Sequence, residues 1–290
     1  MPVRCIGPSV GVSRRTRHSR RAIVFLDTVG SMQNVQSNAL VAGLIIITFV
    51  ELERRREFRA SLAIACGTAI KIFPIVAAVF AVFRPWRLPR FALYCLLSGV
   101  VLLGAPLLVT PAPTLLGQLR SWMTTEHAIS AQRNYSVMQH LHMWVRIGWP
   151  NWPVQLAGGF VLLAPLARLS YWGNPRFRLR FLASVLMFCV LFNHKAESPS
   201  FVIAVAGVAI WFAIAEQDQF TWTVLAIVFV GTVLSASEAM PTALRQFFQA
   251  YKLKTLPILL VWILTQVQLW RQNVSAPRQA PSTDRAAPAT

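Results

Sequence analysis

Residues 60–83 read ASLAIACGTAIKIFPIVAAVFAVF. The stretch is apolar enough to enter a bilayer, yet Lys71 sits at its middle and Pro74 follows three residues later. A straight helix of this length would be about 36 Å long, enough to span. Lys71 would then lie about 18 Å from either end, too far for its side chain to reach water. A lone Lys at mid-membrane costs about 2.5–3.5 kcal/mol. Pro74 has no N–H to donate to the Ile70 carbonyl, so the helix is kinked or broken here. Charged groups and broken helices are tolerated at depth where they line a cavity or are buried in protein.

The flanks offer two readings. Arg54, Arg55, Arg56 and Arg59 precede the stretch, and Arg84, Arg87 and Arg90 follow it. Basic connections prefer the cytoplasm, and a simple span would place one cluster outside. Two half-helices meeting near Lys71 would keep both inside, with Lys71 at the tip of a broken hairpin facing a cavity. The alternative is a Pro-kinked span whose Lys is neutralised by a neighbouring helix. With the hairpin, fourteen Lys and Arg of the connections (54–59, 84–90, 168–180 and the C-terminal tail) share one side. Seven face the other: Arg120, Arg133, Arg146, Lys195, Arg245, Lys252 and Lys254. With the simple span the split becomes eleven against ten, which is no bias, so the charge rule favours the hairpin.

Composition agrees with a membrane protein. The chain has 290 residues, 55% of them hydrophobic and only 13% charged, with a mean hydropathy of +0.52. This predicts an all-α, polytopic integral membrane protein rather than a soluble domain. A formal charge of +18 would suggest nucleic acid in a soluble chain. Here the Arg residues cluster at the ends of apolar segments, as topology requires, so nucleic-acid binding is set aside. Cys5, Cys66, Cys95 and Cys189 have no CxxC spacing and read as small apolar residues, not as disulfides or a metal site.

Three regions follow in order. Residues 1–21 carry six Arg and no acid, and read as a basic disordered tail. Residues 22–271 form the membrane domain, and residues 272–290, rich in Pro, Ala and Ser, read as a second disordered tail. Within the domain, spans or short apolar helices are expected over residues 39–52, 88–109, 153–171, 181–192, 201–215, 220–235 and 255–270, beside the 60–83 stretch. Residues 238–254 read as a polar connection. In residues 110–152, Leu115, Leu116, Leu119, Trp122 and Met123 share one helical face, as do Val137, Met138, Leu141, Trp144 and Val145. These predict two interfacial amphipathic helices, with Trp122, Trp144, Trp149 and Trp152 in a membrane belt. Residues 39–52 must start outside, which would put the six-Arg tail outside too. A chain lacking upstream helices would show that mismatch.

Few residues offer chemistry. Lys71 suits a lipid phosphate or a phosphosugar, or else a buried ion pair. His194, Lys195 and Glu197 sit between two apolar segments at the outer face, where Glu197 is a candidate for a catalytic base and Lys195 for a phosphate contact. Spacing alone favours a solvated turn there, with Pro199 opening the next helix. Gln33, Asn34, Gln36 and Asn38 suit hydrogen bonds to a sugar, or an ordinary loop before a helix. His140 and His142 are two apart and face different ways on a helix, a poor metal pair. No phosphate-binding Gly loop, nucleophile elbow or zinc spacing is visible, and no cofactor is evident.

At these residues the chain resembles a known family. QSNAL (36–40), GTAIKIFP (67–74) followed by Arg84 and Arg87, NYS (134–136) and FNHKAESP (192–199) occur in an order and spacing similar to glycosyltransferase family 87. The resemblance covers roughly residues 23–268. It implies a GT-C-like helical bundle of the polyprenyl-phosphate-mannose-dependent α-mannosyltransferase type in a bacterial plasma (inner) membrane. It further implies transfer of a hexose, mannose above all, from a polyprenyl-phosphate sugar to a glycan or lipid acceptor on the outer side. Gln36, Asn38, Lys71, Asn134, Ser136, His194 and Lys195 would then contact substrate, with divalent-metal dependence left open. Family members carry extra N-terminal helices and an acidic residue in the first outer loop, taken as the base. Asp27 does not match that position, so the chain is expected to be N-terminally truncated, with its own activity in question. The alternative is a transporter or flippase-like protein without transferase activity, since broken helices and buried charge also mark transporters.

The hairpin makes a direct prediction. Single cysteines placed within 54–59 and within 84–90 of a cysteine-free chain should label with an impermeant maleimide from the same side of the membrane. Labelling from opposite sides would leave only the kinked span.

Overall fold

The computed structural model describes residues 28, 36–128, 134–146, 148–238 and 240–271. The expected tails at 1–21 and 272–290 lie outside these, as do Asp27, Gln33 and Asn34. The described residues form helices joined by turns and short loops and contain no strand. The elements are α1 (Asn38–Glu53), α2 (Glu57–Ile70), a 3-10 segment (Phe73–Phe83), α3 (Leu88–Gly104), α4 (Ala112–Ala128), α5 (Val137–Trp144) and α6 (Asn151–Leu163). They continue with α7 (Pro175–Leu191), α8 (Phe201–Ile214), α9 (Gln219–Val228), a π-helical turn (Phe229–Val233), α10 (Thr242–Ala250) and α11 (Thr255–Arg271).

The core is the pair α7 and α8. Helix α8 is apolar all round, as a helix buried on every side must be, and Phe201 through Val208 are each at most 9% exposed. Gly207 lets the two helices touch: a Cβ there would lie 2.7 Å from the Ala183 carbonyl oxygen. Helix α11 packs on α7 and is tied in by polar bonds: Gln266 Nε2 donates to Ser184 Oγ (2.6 Å) and Trp211 Nε1 to Gln268 Oε1 (3.0 Å). Such paired polar groups satisfy each other where water is absent.

The 60–83 stretch folds as a broken hairpin. Helix α2 stops at Ile70, Lys71 is extended (φ −148°, ψ 139°), and the chain returns as the 3-10 segment with Pro74 in its first turn. A Cβ on Gly67 would come within 3.1 Å of Pro74 Cβ, so the two arms touch just below the tip. At the base the arms are clamped. Arg84 donates to the carbonyls of Leu52 (2.8 Å) and Glu53 (3.0 Å), Arg87 pairs with Glu57, and Arg178 meets the Glu53 carboxylate through two nitrogens at 2.9 Å each. The two basic clusters therefore lie at one end of the hairpin. A Pro-kinked straight helix is not what forms.

Several boundaries differ from those expected. Asn174 caps α7, accepting from Arg176 N at 2.9 Å, so the helix begins at Pro175 and Arg176, Arg178 and Arg180 lie in its first two turns, not in a loop. The expected span over 153–171 is an α-helix only to Leu163; Pro165 cannot continue the ladder and two 3-10 turns follow. The polar connection 238–254 holds the amphipathic helix α10. Among the described residues one helix, Pro85–Leu108 with its 3-10 ends, is long and apolar enough to cross a membrane, and only 6% of its apolar window is buried. α10 and α11, bent by 57°, pass that test only as a pair.

Glycine contacts yield a prediction of opposite signs. Gly99 of α3 has nothing near its would-be Cβ, so Gly99→Ala should raise stability by up to about 1 kcal/mol through helix propensity. Gly207→Ala should instead lower it by about 1–3 kcal/mol, because the methyl meets backbone. Thermal unfolding of the detergent-solubilised variants measures both.

Candidate functional site

The sequence candidates converge at the hairpin tip. Lys71 Nζ donates to Asn38 Oδ1 at 2.7 Å. Asn38 Nδ2 donates to Gln36 Oε1 at 2.5 Å, and Gln36 Nε2 donates to Glu197 Oε2 at 2.7 Å. Four side chains from three separate segments thus form one chain, with an ammonium at one end and a carboxylate at the other. The order of donors is self-consistent: each amide gives its N–H₂ toward the carboxylate and its oxygen toward the ammonium. Asn38 is fully buried, whereas Lys71 is half-buried and Glu197 exposed. The cation is therefore satisfied from below and still reachable from above.

Local structure places each member. Lys71 sits where α2 breaks, so its side chain leaves the hairpin at the tip instead of along a helix face. Asn38 opens α1, directly after the turn that holds Gln36. Glu197 opens the 3-10 turn Ser198–Ser200, where its N–H donates to Ser200 Oγ (3.3 Å). The loop before it is tightly folded: Asn193 Oδ1 accepts from Lys195 N (3.0 Å) and Asn193 O from Ala196 N (3.0 Å).

The remaining candidates adjoin this centre. Tyr135 N donates to Ala196 O at 3.0 Å, which sets the turn carrying Asn134 and Ser136 beside the 193–198 loop. Asn134 is half-buried; Ser136 is buried, and its Oγ accepts from Gln139 N (3.4 Å) as the cap of α5. His194 Nδ1 lies 3.4 Å from Gln155 Nε2, which also donates to Phe192 O (3.0 Å). Among the described residues no three His, Cys, Asp or Glu side chains cluster as a metal site. Cys66 and Cys95 are half-buried free thiols and Cys189 a buried one.

Two basic residues of this face are not legible as site residues in the sequence. Lys252 Nζ lies 4.6 Å from the centre of the Tyr135 ring. Lys254, only 4% exposed, donates to Ser198 O (3.0 Å) and Ser198 Oγ (3.1 Å). Each comes from a turn more than fifty residues further along the chain, and only folding brings them here.

Residues 11–193 match the profile of glycosyltransferase family 87. The chain belongs to glycosyltransferase family 87. It is a membrane glycosyltransferase-type protein, which accounts for the exposed apolar helix Pro85–Leu108. Comparison with curated proteins and with solved structures returns no match. The family match takes in Gln36, Asn38, Lys71, Asn134 and Ser136 and ends at Asn193. His194, Lys195 and Glu197 lie just beyond it, and the hydrogen bond from Gln36 joins Glu197 to the matched part.

One titration follows from α5. His140 is 7% exposed, with Nδ1 3.0 Å from Ser136 O and its ring edge-on to Trp144. Burial holds its pKa below the ordinary value, against backbone hydrogen bonds at Ser136 and Lys252 that act the other way. The unfolded imidazole takes up a proton near pH 6.5 while the folded one does so lower, so stability is full above about 6.5 and falls as pH drops below it. The protection of residues 134–146 against hydrogen exchange, corrected for the intrinsic base-catalysed rate, should therefore fall between pH 7.5 and 5.5. In His140→Gln that pH step should vanish.

Proposed function

We propose that this protein is a multi-pass GT-C-type hexosyltransferase that moves a sugar, mannose in the first instance, from a polyprenyl-phosphate donor to a glycan or lipid acceptor at the outer face of a bacterial plasma membrane. The observation that carries the proposal is the hydrogen-bonded chain from Lys71 through Asn38 and Gln36 to Glu197. It sets a cation and a carboxylate in one polar centre at the end of the hairpin opposite the basic clusters.

The chemistry assigns a role to each end. In the transfer, the bond between the sugar C1 and the donor phosphate oxygen breaks, and a bond from C1 to an acceptor hydroxyl oxygen forms. Negative charge grows on the departing polyprenyl phosphate, and Lys71 is the group to stabilise it. The acceptor hydroxyl loses its proton, and Glu197 is the carboxylate within this centre to take it. Gln36 and Asn38 hold the two ends in register; Asn134, Ser136, His194 and Lys195 form the adjoining wall. Surface helix α4 supports a membrane-facing placement, since Leu116, Leu119, Trp122 and Met123 all lie outward on it.

The test is transfer itself. Membranes carrying the chain, alone and extended by any upstream in-frame coding sequence, are assayed with a polyprenyl-phosphate mannose. Transfer by either form supports the reading, and its absence from both overturns it, with uptake or lipid flipping in its place pointing to a transporter. In an active form Lys71→Leu should cut the rate about 10²–10³-fold, the usual loss when one charge-stabilising donor is removed. A Leu variant as fast as the parent would exclude the role given to the ammonium.

A further inference from the structure

Glu197 is exposed and sits on a short turn, where its carboxylate caps the Ser200 N–H, yet it also accepts from Gln36 on a distant segment. A site residue on a loop keeps such geometry only if the loop is braced. The brace lies in the turn before α11. Lys254 reaches across from that turn and donates to both the carbonyl and the hydroxyl of Ser198, the residue next to Glu197. Its ammonium also lies 5.0 Å from the centre of the Phe201 ring, a cation–π contact one turn further along. Removing an ammonium from water is costly, so a 4% exposed Lys is kept only where its partners are fixed.

The turn that carries Lys254 is itself anchored from behind. Thr232 Oγ1, in the π-helical turn, donates to the Lys254 carbonyl at 3.0 Å. Gly231 admits Pro257 so closely that a Cβ there would be 2.7 Å from Pro257 Cγ. Lys252 takes a left-handed conformation (φ 55°), and its carbonyl accepts from Thr255 N at 3.2 Å, which closes the turn. The bracing therefore runs from the π-helical turn through Lys254 to Ser198, and from Glu197 to Gln36, Asn38 and Lys71.

We infer that Lys254 is a positioning residue: by gripping Ser198 it holds the Glu197 carboxylate against Gln36, and so couples α11 to the polar centre. The kinetic consequence rests on the transferase reading above; the geometric one does not.

The experiment measures geometry and kinetics separately in the full chain in membranes. In a background with Cys5, Cys66, Cys95 and Cys189 replaced, the pair Gln36→Cys and Glu197→Cys is cross-linked with a short bifunctional thiol reagent. The pair Ser61→Cys and Ser98→Cys, whose hydroxyl oxygens lie 3.4 Å apart, reports that the fold is intact. Loss of one or two hydrogen bonds should make Lys254→Met cross-link the 36–197 pair about fivefold or more slowly, with the 61–98 bridge unchanged. Lys254→Arg, which can still donate to both oxygens of Ser198, should recover a rate within about twofold of the parent. An unchanged 36–197 rate in Lys254→Met overturns the inference. If Lys254→Met loses the 61–98 bridge as well, Lys254→Arg decides: a near-parent rate supports the brace, and a rate as low as that of Met overturns it. With the native site residues and an active parent, Lys254→Met should lower kcat while the donor KM stays within about twofold, since the residue acts through Glu197 and not on the donor. A raised KM with unchanged kcat would make Lys254 a substrate contact instead. A parent that shows no transfer defeats the transferase reading alone and leaves the cross-linking result to judge the brace.

Discussion

An ammonium placed inside an apolar stretch must find an oxygen. That requirement organises this molecule. Lys71 meets it through Asn38, which is fully buried at the start of α1. To bring the ammonium to that oxygen the helix has to stop, and Lys71 adopts an extended backbone between α2 and the 3-10 segment. Pro74 makes the stop cheap, since the hydrogen bond it removes would be lost at the break in any case. The two arms then return together, and their basic ends are gathered by Glu53 and Glu57.

Stability and chemistry are assigned to different parts of the chain. α7 and α8 supply a dense apolar centre in which one glycine permits contact between backbones. The polar centre is built from what lies between helices: a turn before α1, a break after α2, and the loop 193–198. Loops bear function because a scaffold can aim them, and here the aiming is done by hydrogen bonds that cross between segments. Tyr135 to Ala196, Gln155 to Phe192 and Lys254 to Ser198 all converge on the same seven residues, 192–198.

The arginines show how one residue type serves two purposes. A topology count treats those at 168–180 as surface charge. In the structure Arg168 donates to the carbonyls of Leu269 (2.7 Å) and Trp270 (2.6 Å) at the end of α11, and Arg178 binds Glu53. Capping carbonyls and a half-buried carboxylate hold them in place. Their charge still biases that end of the molecule, but their positions are set by partners on α1 and α11.

Much of this was legible in the amino-acid order. Apolar runs of helical length, Pro and Arg at their ends, and one Lys out of place were enough to predict an all-helical fold with a break at residue 71. The ordered motifs pointed to the family, and they named Gln36, Asn38, Lys71 and Glu197 as separate candidates. What the order alone could not supply was their connection. Hydrogen bonds between residues 36 and 197 depend on how α1, the hairpin and the loop after α7 pack, and no local pattern encodes that distance. Lys254 was invisible for the same reason: in the sequence it is one more basic residue in a polar connection, and only burial beside Ser198 distinguishes it. Helix character follows from neighbours along the chain, whereas a site follows from neighbours across it, and those are chosen by the packing of the whole.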